Sequence, residues 1–259
     1  MQRLLRAYSA ADVTGFLEAY KELPKHERPR IREGENPIPC QAARKGQRNI
    51  LEASLDVDPW CTTATDGAFR TPLHWASVNG NLQCCRLVME KKPERVHVSK
   101  MLTLSDNYGM SPLHCAVLSG NEELVCYFLE IGDSAGVLCT NKEGLYPIQL
   151  ACRKGLETVV RKLCALPCSK EFVNIRDAEG GTLLHLAVAE GHCGVARALL
   201  EAGACDLKAE DSDGFTALRL AEALEDQDMV DEITREQGRL GVSSVQKALE
   251  QAQAEDFRG

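Results

Sequence analysis

The 259-residue sequence predicts an all-α solenoid, in which stacked helix-turn-helix units are joined by hairpin-like loops. Two observations lead to this prediction. The stretch "RTPLHWASVNGN", which begins at Arg70, returns forty residues later as "MSPLHCAVLSGN" from Met110. Apolar pairs then recur at helical spacing after the glycine of each copy, as in Leu124–Leu129. Because such a short unit cannot bury its own apolar face, we expect successive units to stack.

One alanine marks every copy of the repeat. The marker alanines lie 34 to 40 residues apart and are Ala7, Ala42, Ala76, Ala116, Ala151, Ala187 and Ala221. Four residues after each marker stands a glycine, except in the first and last copies, where Ala11 and Glu225 replace it. Glycine favours the left-handed backbone that ends many helices, so we expect the first helix of each unit to end at this position.

A polar turn precedes each of the five clearest copies. Its first residue is Asp or Asn, five positions before the Thr, Ser or Tyr that opens the helix, at Asp66, Asp106, Asn141, Asp177 and Asp211. Thr71 and Ser111 can cap a helix with a hydroxyl, and the proline after each fits the first helical position, where no N–H is missed. These features predict a turn, a short helix, a second turn and a longer helix in each unit.

The pattern D-x-x-G-x-T-P-L-H-x-A at this period resembles the ankyrin repeat. The match is closest in residues 106–120 (DNYGMSPLHCAVLSG) and 177–191 (DAEGGTLLHLAVAEG), whereas in 66–80 Phe69 replaces the usual glycine. The resemblance covers roughly residues 1–240. The predicted units are a degenerate N-terminal capping repeat in 1–35, a degenerate repeat in 36–65, a repeat with a basic insertion in 66–105, repeats in 106–140, 141–176 and 177–210, a C-terminal capping repeat in 211–240, and a final helix in 241–259.

The insertion of the third unit lies in Glu90–Asp106, where Pro93 breaks the preceding helix. Insertions in repeat proteins often map to the binding face. A tolerated surface loop is the simpler interpretation, since added loop length costs little free energy. The segment is basic, which would suit an acidic partner; its cations are Lys91, Lys92, Arg95 and Lys100.

Composition excludes several classes of function. The twelve cysteines are scattered and mostly fall where a small apolar residue fits, which favours free thiols and a cytoplasmic or nuclear protein. No apolar run is long enough for a membrane span, so we expect no membrane insertion. The net charge is −8, and residues 171–259 hold 8 Lys or Arg against 19 Asp or Glu, which argues against nucleic-acid binding there.

The repeated histidines and the close cysteine pair are better explained as structural residues than as catalytic or metal-binding ones. The histidines His74, His114 and His185 occupy one repeat position, and the ankyrin resemblance implies that each bonds near the Thr or Ser and ties neighbouring loops together. Three equivalent positions do not suit one catalytic site. Cys164 and Cys168 lack the second close pair that a structural zinc site needs. We therefore expect no enzyme activity, no metal and no other cofactor.

The resemblance implies that a protein partner binds the concave face, through variable positions around the turns. The predicted binding residues are Arg70, Asn107, Tyr108, Met110, Leu118, Lys142, Leu145, Arg153 and Lys154. Their apolar members would form a patch with a positive rim, which suits an acidic, amphipathic partner. The alternative for Leu118 and Leu145 is that they tuck between units.

Two functions fit this surface, and we expect the chain alone to be a monomer. The first is an interaction scaffold or adaptor. The alternative is a regulatory subunit or inhibitor that occludes an enzyme or a localisation signal. Separately, "FVNIRD" is similar to the Val-Asn site that asparaginyl hydroxylases modify in some ankyrin proteins, which makes Asn174 a candidate modification site, although Phe172 stands where an acidic residue is expected.

Overall fold

The computed structural model describes residues 2–24, 27, 31–132, 134–203 and 205–239. Within these ranges the regular structure is helical, apart from one isolated bridge between Glu210 and Thr216. The predicted all-α class is therefore confirmed. The chain forms two compact units, Met1–Leu150 and Ala151–Gly259.

The first unit contains nine complete α-helices and the start of a tenth among its described residues. They are α1 (Gln2–Ser9), α2 (Val13–Glu22), α3 (Ile38–Arg44), α4 (Arg48–Val57), α5 (Pro72–Val78), α6 (Leu82–Glu90), α7 (Val98–Thr103), α8 (Pro112–Ser119), α9 (Glu122–Gly132) and α10 (Pro147–Arg153), with a 3-10 helix at Pro59–Thr63. The boundary between the two units falls within α10.

The second unit continues the alternation of shorter and longer helices. Its elements are α11 (Glu157–Cys164), α12 (Leu183–Ala189), α13 (Cys193–Glu201), α14 (Ala217–Ala223) and a helix over 227–239, with a 3-10 helix at Ser169–Glu171. The last helix runs to residue 239, the end of the described range, and lies within the predicted capping repeat 211–240. The helix predicted in 241–259 lies outside the described residues.

The helices stack in each unit as the repeat pattern predicts. In the first unit the short helices α3, α5 and α8 pack side by side, and so do the longer helices α2, α4 and α6. In the second unit α12 packs against α14, and α11 against α13. All seven marker alanines are buried, six of them completely, so the small residue lies where helices meet.

The turn after each short helix has a left-handed residue. Five of these residues are glycines with φ between 61° and 74°, namely Gly46, Gly80, Gly120, Gly155 and Gly191. Ala11 (φ 55°) and Glu225 (φ 58°), which replace the glycine, adopt the same conformation. The packed helix pair therefore imposes this backbone even where the residue does not favour it.

The insertion is not only a loop, because it contains α7. Met101 and Leu102 of α7 are fully buried, and the helix packs against α8 and α9. Gly132 and Gly136 make room for it: a Cβ atom at Gly132 would lie 2.5 Å from Leu102 Cδ1, and one at Gly136 would lie 2.9 Å from the Leu102 carbonyl oxygen. The inserted helix is thus an integral part of the first unit.

Candidate functional site

Five turns, which we call fingers, connect successive repeats: 66–70, 106–110, 141–145, 177–181 and 211–215. Each begins with the Asp or Asn identified in the sequence. One side-chain oxygen of that residue accepts the backbone N–H groups two and four positions later, at 2.8–3.0 Å. A short side chain with such an oxygen is therefore what folds the finger.

Backbone hydrogen bonds join neighbouring fingers of the first unit into a row. Each finger donates one N–H to a carbonyl of the preceding repeat, and all three distances are 2.9 Å. Asn107 donates to Ala68 and Lys142 donates to Tyr108, both in the preceding finger, and Gly67 of the first finger donates to Glu35. The row fixes the spacing between finger tips, so the side chains at the tips form one surface.

The repeated histidines form hydrogen bonds with the carbonyl groups at the ends of the fingers. The Thr71 backbone N–H donates to His74 Nδ1 (3.2 Å), so Nε2 carries the ring proton and donates to the carbonyls of Leu104 and Met110, each at 3.1 Å. His114 repeats this arrangement, with its Nε2 3.0 Å from the Leu145 carbonyl. In the second unit, His185 Nε2 contacts the Phe215 carbonyl at 3.0 Å.

Burial lowers the pKa of His74 and of His114, which keeps both imidazoles neutral. Both ring nitrogens of each are occupied by structural hydrogen bonds, which is the role that the resemblance implied. This arrangement leaves neither ring free to move a substrate proton.

One finger of the first unit holds a large aromatic side chain at the fourth position, where the next two fingers have glycine. Phe69 occupies the fourth position of its finger with φ 59°, where Gly109 (φ 73°) and Gly144 (φ 77°) stand in the next two fingers. Its side chain is 60% exposed. A bulky residue in the left-handed region is strained by about 1–2 kcal/mol, and this side chain regains little by burial. The finger therefore holds an aromatic ring in solvent at a cost to stability.

A fixed guanidinium lies beside this tip. Arg70 forms an ion pair with the buried carboxylate of Asp106 (Nε to Oδ2, 3.0 Å). Its guanidinium carbon lies 4.8 Å from the centre of the Trp75 ring and 5.7 Å from that of Tyr108. Arg44 lies over Trp75 as well, at 4.8 Å. Arginine and aromatic rings thus alternate along the face, and each restricts its neighbours.

The predicted binding residues differ in accessibility. Tyr108 is 63% exposed and Leu118 is 43% exposed, while Asn107 and Lys142 are also exposed. Leu118 therefore points into solvent and does not tuck between repeats. Arg70 and Leu145 are half-buried. Arg153 and Lys154 are exposed residues of the second unit.

Met110 lies below the surface rather than on it. Its side chain is buried, and its sulfur accepts a hydrogen bond from Asn141 Nδ2 at 3.6 Å. The next finger covers Met110, so this side chain is not part of the exposed apolar surface.

The sequence analysis missed several residues of this face. Phe69 was noted only as a departure from the repeat, although a bulky residue in a glycine position of a polar turn is itself a signal. Trp75 and Arg44 become neighbours only through the stacking of α3 on α5. Cys40 was also missed: it occupies the histidine position of the second repeat, and its thiol donates to the carbonyls of Ala64 (3.5 Å) and Arg70 (3.4 Å).

The cysteines lie inside or partly inside the fold. All twelve cysteines are free and none is exposed; burial raises the pKa of Cys115 to about 12, which suppresses thiolate formation. Among the described residues, no group of His, Cys, Asp or Glu side chains could hold a metal ion. In the same part of the chain, no helix has the length and apolarity that a bilayer span requires. Asn174 is exposed, and its Oδ1 accepts the Asp206 N–H at 3.1 Å.

Known proteins with similar sequences carry the same repeats. The chain is 31% identical over 147 residues to the probable 26S proteasome regulatory subunit p28 of Saccharomyces cerevisiae, covering 57% of this chain and 60% of that protein. It is 35% identical over 137 residues to the human B-cell lymphoma 3 protein, covering 50% and 29% respectively. The chain thus spans less than two thirds of the length of the curated relatives it matches.

Solved structures show the same fold. The crystal structure of the ankyrin repeat domain of Bcl-3, described as a unique member of the IkappaB protein family, superposes with a TM-score of 0.73 at 19% identity, covering 90% of this chain and 97% of that one. The family model for ankyrin repeats matches three times, at residues 39–137, 131–211 and 150–240. These matches cover well over half of the sequence, and the chain therefore belongs to the ankyrin repeat family of protein-interaction domains.

Proposed function

We propose that the protein is an interaction scaffold or adaptor, which binds a protein partner through the concave face of its ankyrin stack. The surface is the finger face of the first unit, defined as the three fingers 66–70, 106–110 and 141–145 together with the exposed side chains of α5 and α8. The observation that carries the proposal is the strained, exposed Phe69. Strain of this kind is typically retained where a residue is needed for binding.

The composition of the finger face supports the proposal. Phe69, Tyr108, Val78 and Leu118 are exposed apolar or aromatic side chains, and Arg70 lies among them. Aromatic residues and arginine dominate the energetically important part of protein interfaces. The ion pair and ring contacts already order Arg70, so a partner would pay little further entropy to use it.

The charges favour an acidic, amphipathic partner. Lys142 is exposed and forms no ion pair with a described residue, and Arg44 is exposed beside Trp75. In the second unit, Arg153 and Lys154 are exposed as well. Basic groups beside apolar ones complement a segment in which carboxylates alternate with apolar side chains.

The proposal includes no catalytic activity, because the repeated histidines are engaged in structural hydrogen bonds. A cytoplasmic or nuclear location remains our expectation from the free thiols. The alternative function, a regulatory subunit or inhibitor, is favoured by the name of the yeast relative, a probable proteasome regulatory subunit. A regulatory subunit or inhibitor would use the same face, but its binding must also change the activity or location of the partner.

The test exploits the strain at Phe69. Phe69→Gly should stabilise the fold by about 1 kcal/mol, because glycine adopts the left-handed backbone freely. The same change should reduce partner capture about tenfold or more, because the aromatic contact is lost. We would measure urea unfolding by circular dichroism, and capture from cell lysate by quantitative mass spectrometry. Tyr108→Ser/Leu118→Glu should also lose capture.

Glu225→Gly is the matched control, since it relieves a similar backbone in the second unit without altering the finger face. It should retain capture of the same partner. If Phe69→Gly and Tyr108→Ser/Leu118→Glu both capture what the unmodified protein captures, the finger face is not the binding surface.

A further inference from the structure

The insertion alters the layer of longer helices in the first unit. The helices α2, α4 and α6 pack in sequence, but α9 packs against the inserted α7. Between α6 and α9 lies an open cavity of about 380 Å³. We call it the insert groove, and its lining residues are Arg86, Met89, Glu90, Val98, Tyr127 and Ile131. It is separate from the finger face, since none of these residues belongs to a finger or to α5 or α8.

The groove has an ordered wall, because the helix α7 that forms it is anchored in the core. Leu102 and Met101 hold α7 in the core, and Gly132 and Gly136 leave the space that α7 needs. An unstructured surface loop would require none of these adaptations. The helix α7 is therefore held in place against α8 and α9.

The groove combines apolar walls with two charged side chains of α6, the positioned cation Arg86 and the exposed Glu90. Val98, Tyr127 and Ile131 are half-buried, so each retains apolar surface that a ligand can cover. The Arg86 guanidinium carbon lies 4.5 Å from the centre of the Tyr127 ring. Arg86 forms no ion pair with a described residue, so it can receive a carboxylate from outside.

The segment 86–100, which we call the rim, supplies four of the six lining residues and has an excess of positive charge. Residues 86–100 contain five Lys or Arg and two Glu, whereas the whole chain has a net charge of −8. Lys91 is neutralised by Asp56 (2.6 Å). Lys92, Arg95 and Lys100 form no ion pair with a described residue, and the last two are exposed. This local excess of positive charge would attract an acidic segment to an otherwise acidic protein.

We infer that the insert groove is a second docking site, which binds an acidic amphipathic helix of a partner protein. One apolar side chain of that helix would fill the space between Val98, Tyr127 and Ile131, and a neighbouring carboxylate would pair with Arg86. A cavity of this size holds one or two large side chains, which suits the helix-in-groove mode of recognition. A protein with this groove and the finger face can hold two partners at once, as an adaptor must.

The experiment selects peptides of about 16 residues from a random phage-displayed library on the complete protein. Selected peptides are synthesised, and their affinity is measured by fluorescence anisotropy. We expect Asp or Glu together with Leu, Ile or Phe at helical spacing. The groove variant Arg86→Glu/Ile131→Ser and the rim variant Lys92→Glu/Arg95→Glu/Lys100→Glu should each lower the affinity about tenfold or more.

Two controls make the result decisive. The finger variant Tyr108→Ser should leave the affinity of groove-binding peptides unchanged. The rim variant alters only cations that are exposed or half-buried, so it tests the proposal even if the groove variant folds poorly. The inference is overturned if no peptide is enriched, if the enriched peptides lack acidic residues, or if their binding is insensitive to the rim variant. Loss of binding in Tyr108→Ser alone would assign those peptides to the finger face and likewise overturn it.

Discussion

The fingers 66–70 and 106–110 have the same backbone and differ in what they hold at the tip. In each, an Asp side chain accepts two N–H groups, and the fourth residue is left-handed. At Gly109 an added Cβ would lie 2.7 Å from the backbone nitrogen of Lys142, so the next finger leaves no room for a side chain. Phe69 instead extends a ring into solvent. The Asp side chain and the row of backbone hydrogen bonds determine the shape of the finger. The residue at the tip can therefore vary, and in the finger 66–70 we propose that it serves binding.

The same two fingers also differ in what ties them to the preceding repeat. His74 Nε2 donates to the Met110 carbonyl of one finger, at 3.1 Å. In the equivalent place, the Cys40 thiol donates to the Arg70 carbonyl of the other, at 3.4 Å. A thiol is the weaker donor. Burial raises the pKa of Cys40, so this group stays protonated and remains a donor.

The largest effect on stability is expected from adding a side chain at the tip glycine of the finger 106–110. Gly109→Ala should lower the free energy of unfolding by about 3 kcal/mol. The added Cβ would clash with the Lys142 backbone, and an alanine in the left-handed conformation is itself strained. Gly144→Ala is the matched control, since nothing lies within 4 Å of its added Cβ; it should cost about 1 kcal/mol. Equal losses in urea unfolding would show that the fingers do not approach as closely as described.

The next effect concerns pH and the histidine ties. The pKa of His74 and of His114 lies below the ordinary 6.5 in the folded protein, so the unfolded chain binds more protons below that pH. Stability should therefore be complete above about pH 6.5 and fall as the pH decreases towards the folded-state pKa. Each histidine contributes at most about 1.4 kcal/mol per pH unit in this window, and we expect a progressive loss of unfolding free energy as the pH falls below about 6.5.

The control for this prediction comes from the chain itself. Gln149 occupies the histidine position of another repeat, and its Oε1 accepts the Tyr146 N–H at 2.9 Å. His74→Gln/His114→Gln should therefore fold and should show a flatter dependence of unfolding free energy on pH. A slope equal to that of the unmodified protein would assign the acid sensitivity to other groups.

A smaller effect is expected at the thiol tie. Cys40→Ala removes the thiol that donates to the carbonyls of Ala64 and Arg70 and should cost about 1 kcal/mol more than Cys61→Ala. The Arg70 carbonyl still accepts the Asp66 N–H at 3.1 Å. Cys61 is fully buried too, but no hydrogen bond of its thiol is described. Urea unfolding of the two variants measures the difference, and identical losses would mean that the Cys40 thiol contributes packing alone.

The smallest effect separates strain from binding. Ala11→Gly and Glu225→Gly should each stabilise the fold by about 0.5–1 kcal/mol, since both residues are left-handed without presenting an aromatic ring. Thermal unfolding would detect the gain. A gain at these two positions but none at Phe69→Gly would indicate that the Phe69 ring stabilises its finger, and would weaken its use as the sign of a binding site.

Much of the fold follows from local chemistry that a sequence displays. The caps at Thr71 and Ser111, the turn Asp residues and the marker alanines act within a few residues, so their spacing predicted the repeats. The histidine bonds were implied by the resemblance to the ankyrin repeat. The ends of the helices at Ala11 and Glu225 followed from the register alone. These features recur at a fixed period, so they can be recognised without knowing which residues of the neighbouring repeat they contact.

The rest depends on contacts between distant residues. Nothing in the local sequence around Met110 shows that the finger at Asn141 covers it. The helix α7 was expected as a loop, because its six residues carry too short an apolar pattern to be recognised. Its place became clear only from the space at Gly132 and Gly136 that receives it. The pairing of Arg70 with Asp106 likewise needs two repeats to stack.

The stacked ring at the centre of the finger face has a practical consequence. Trp75 Nε1–H donates to Asp66 at 2.8 Å, and guanidinium groups lie over its ring. Trp60 and Trp75 are the two tryptophans of the chain, and both belong to the first compact unit. Intrinsic fluorescence therefore observes only that half of the protein, and in a Trp60→Phe background it becomes a single, label-free optical probe placed where a partner would bind.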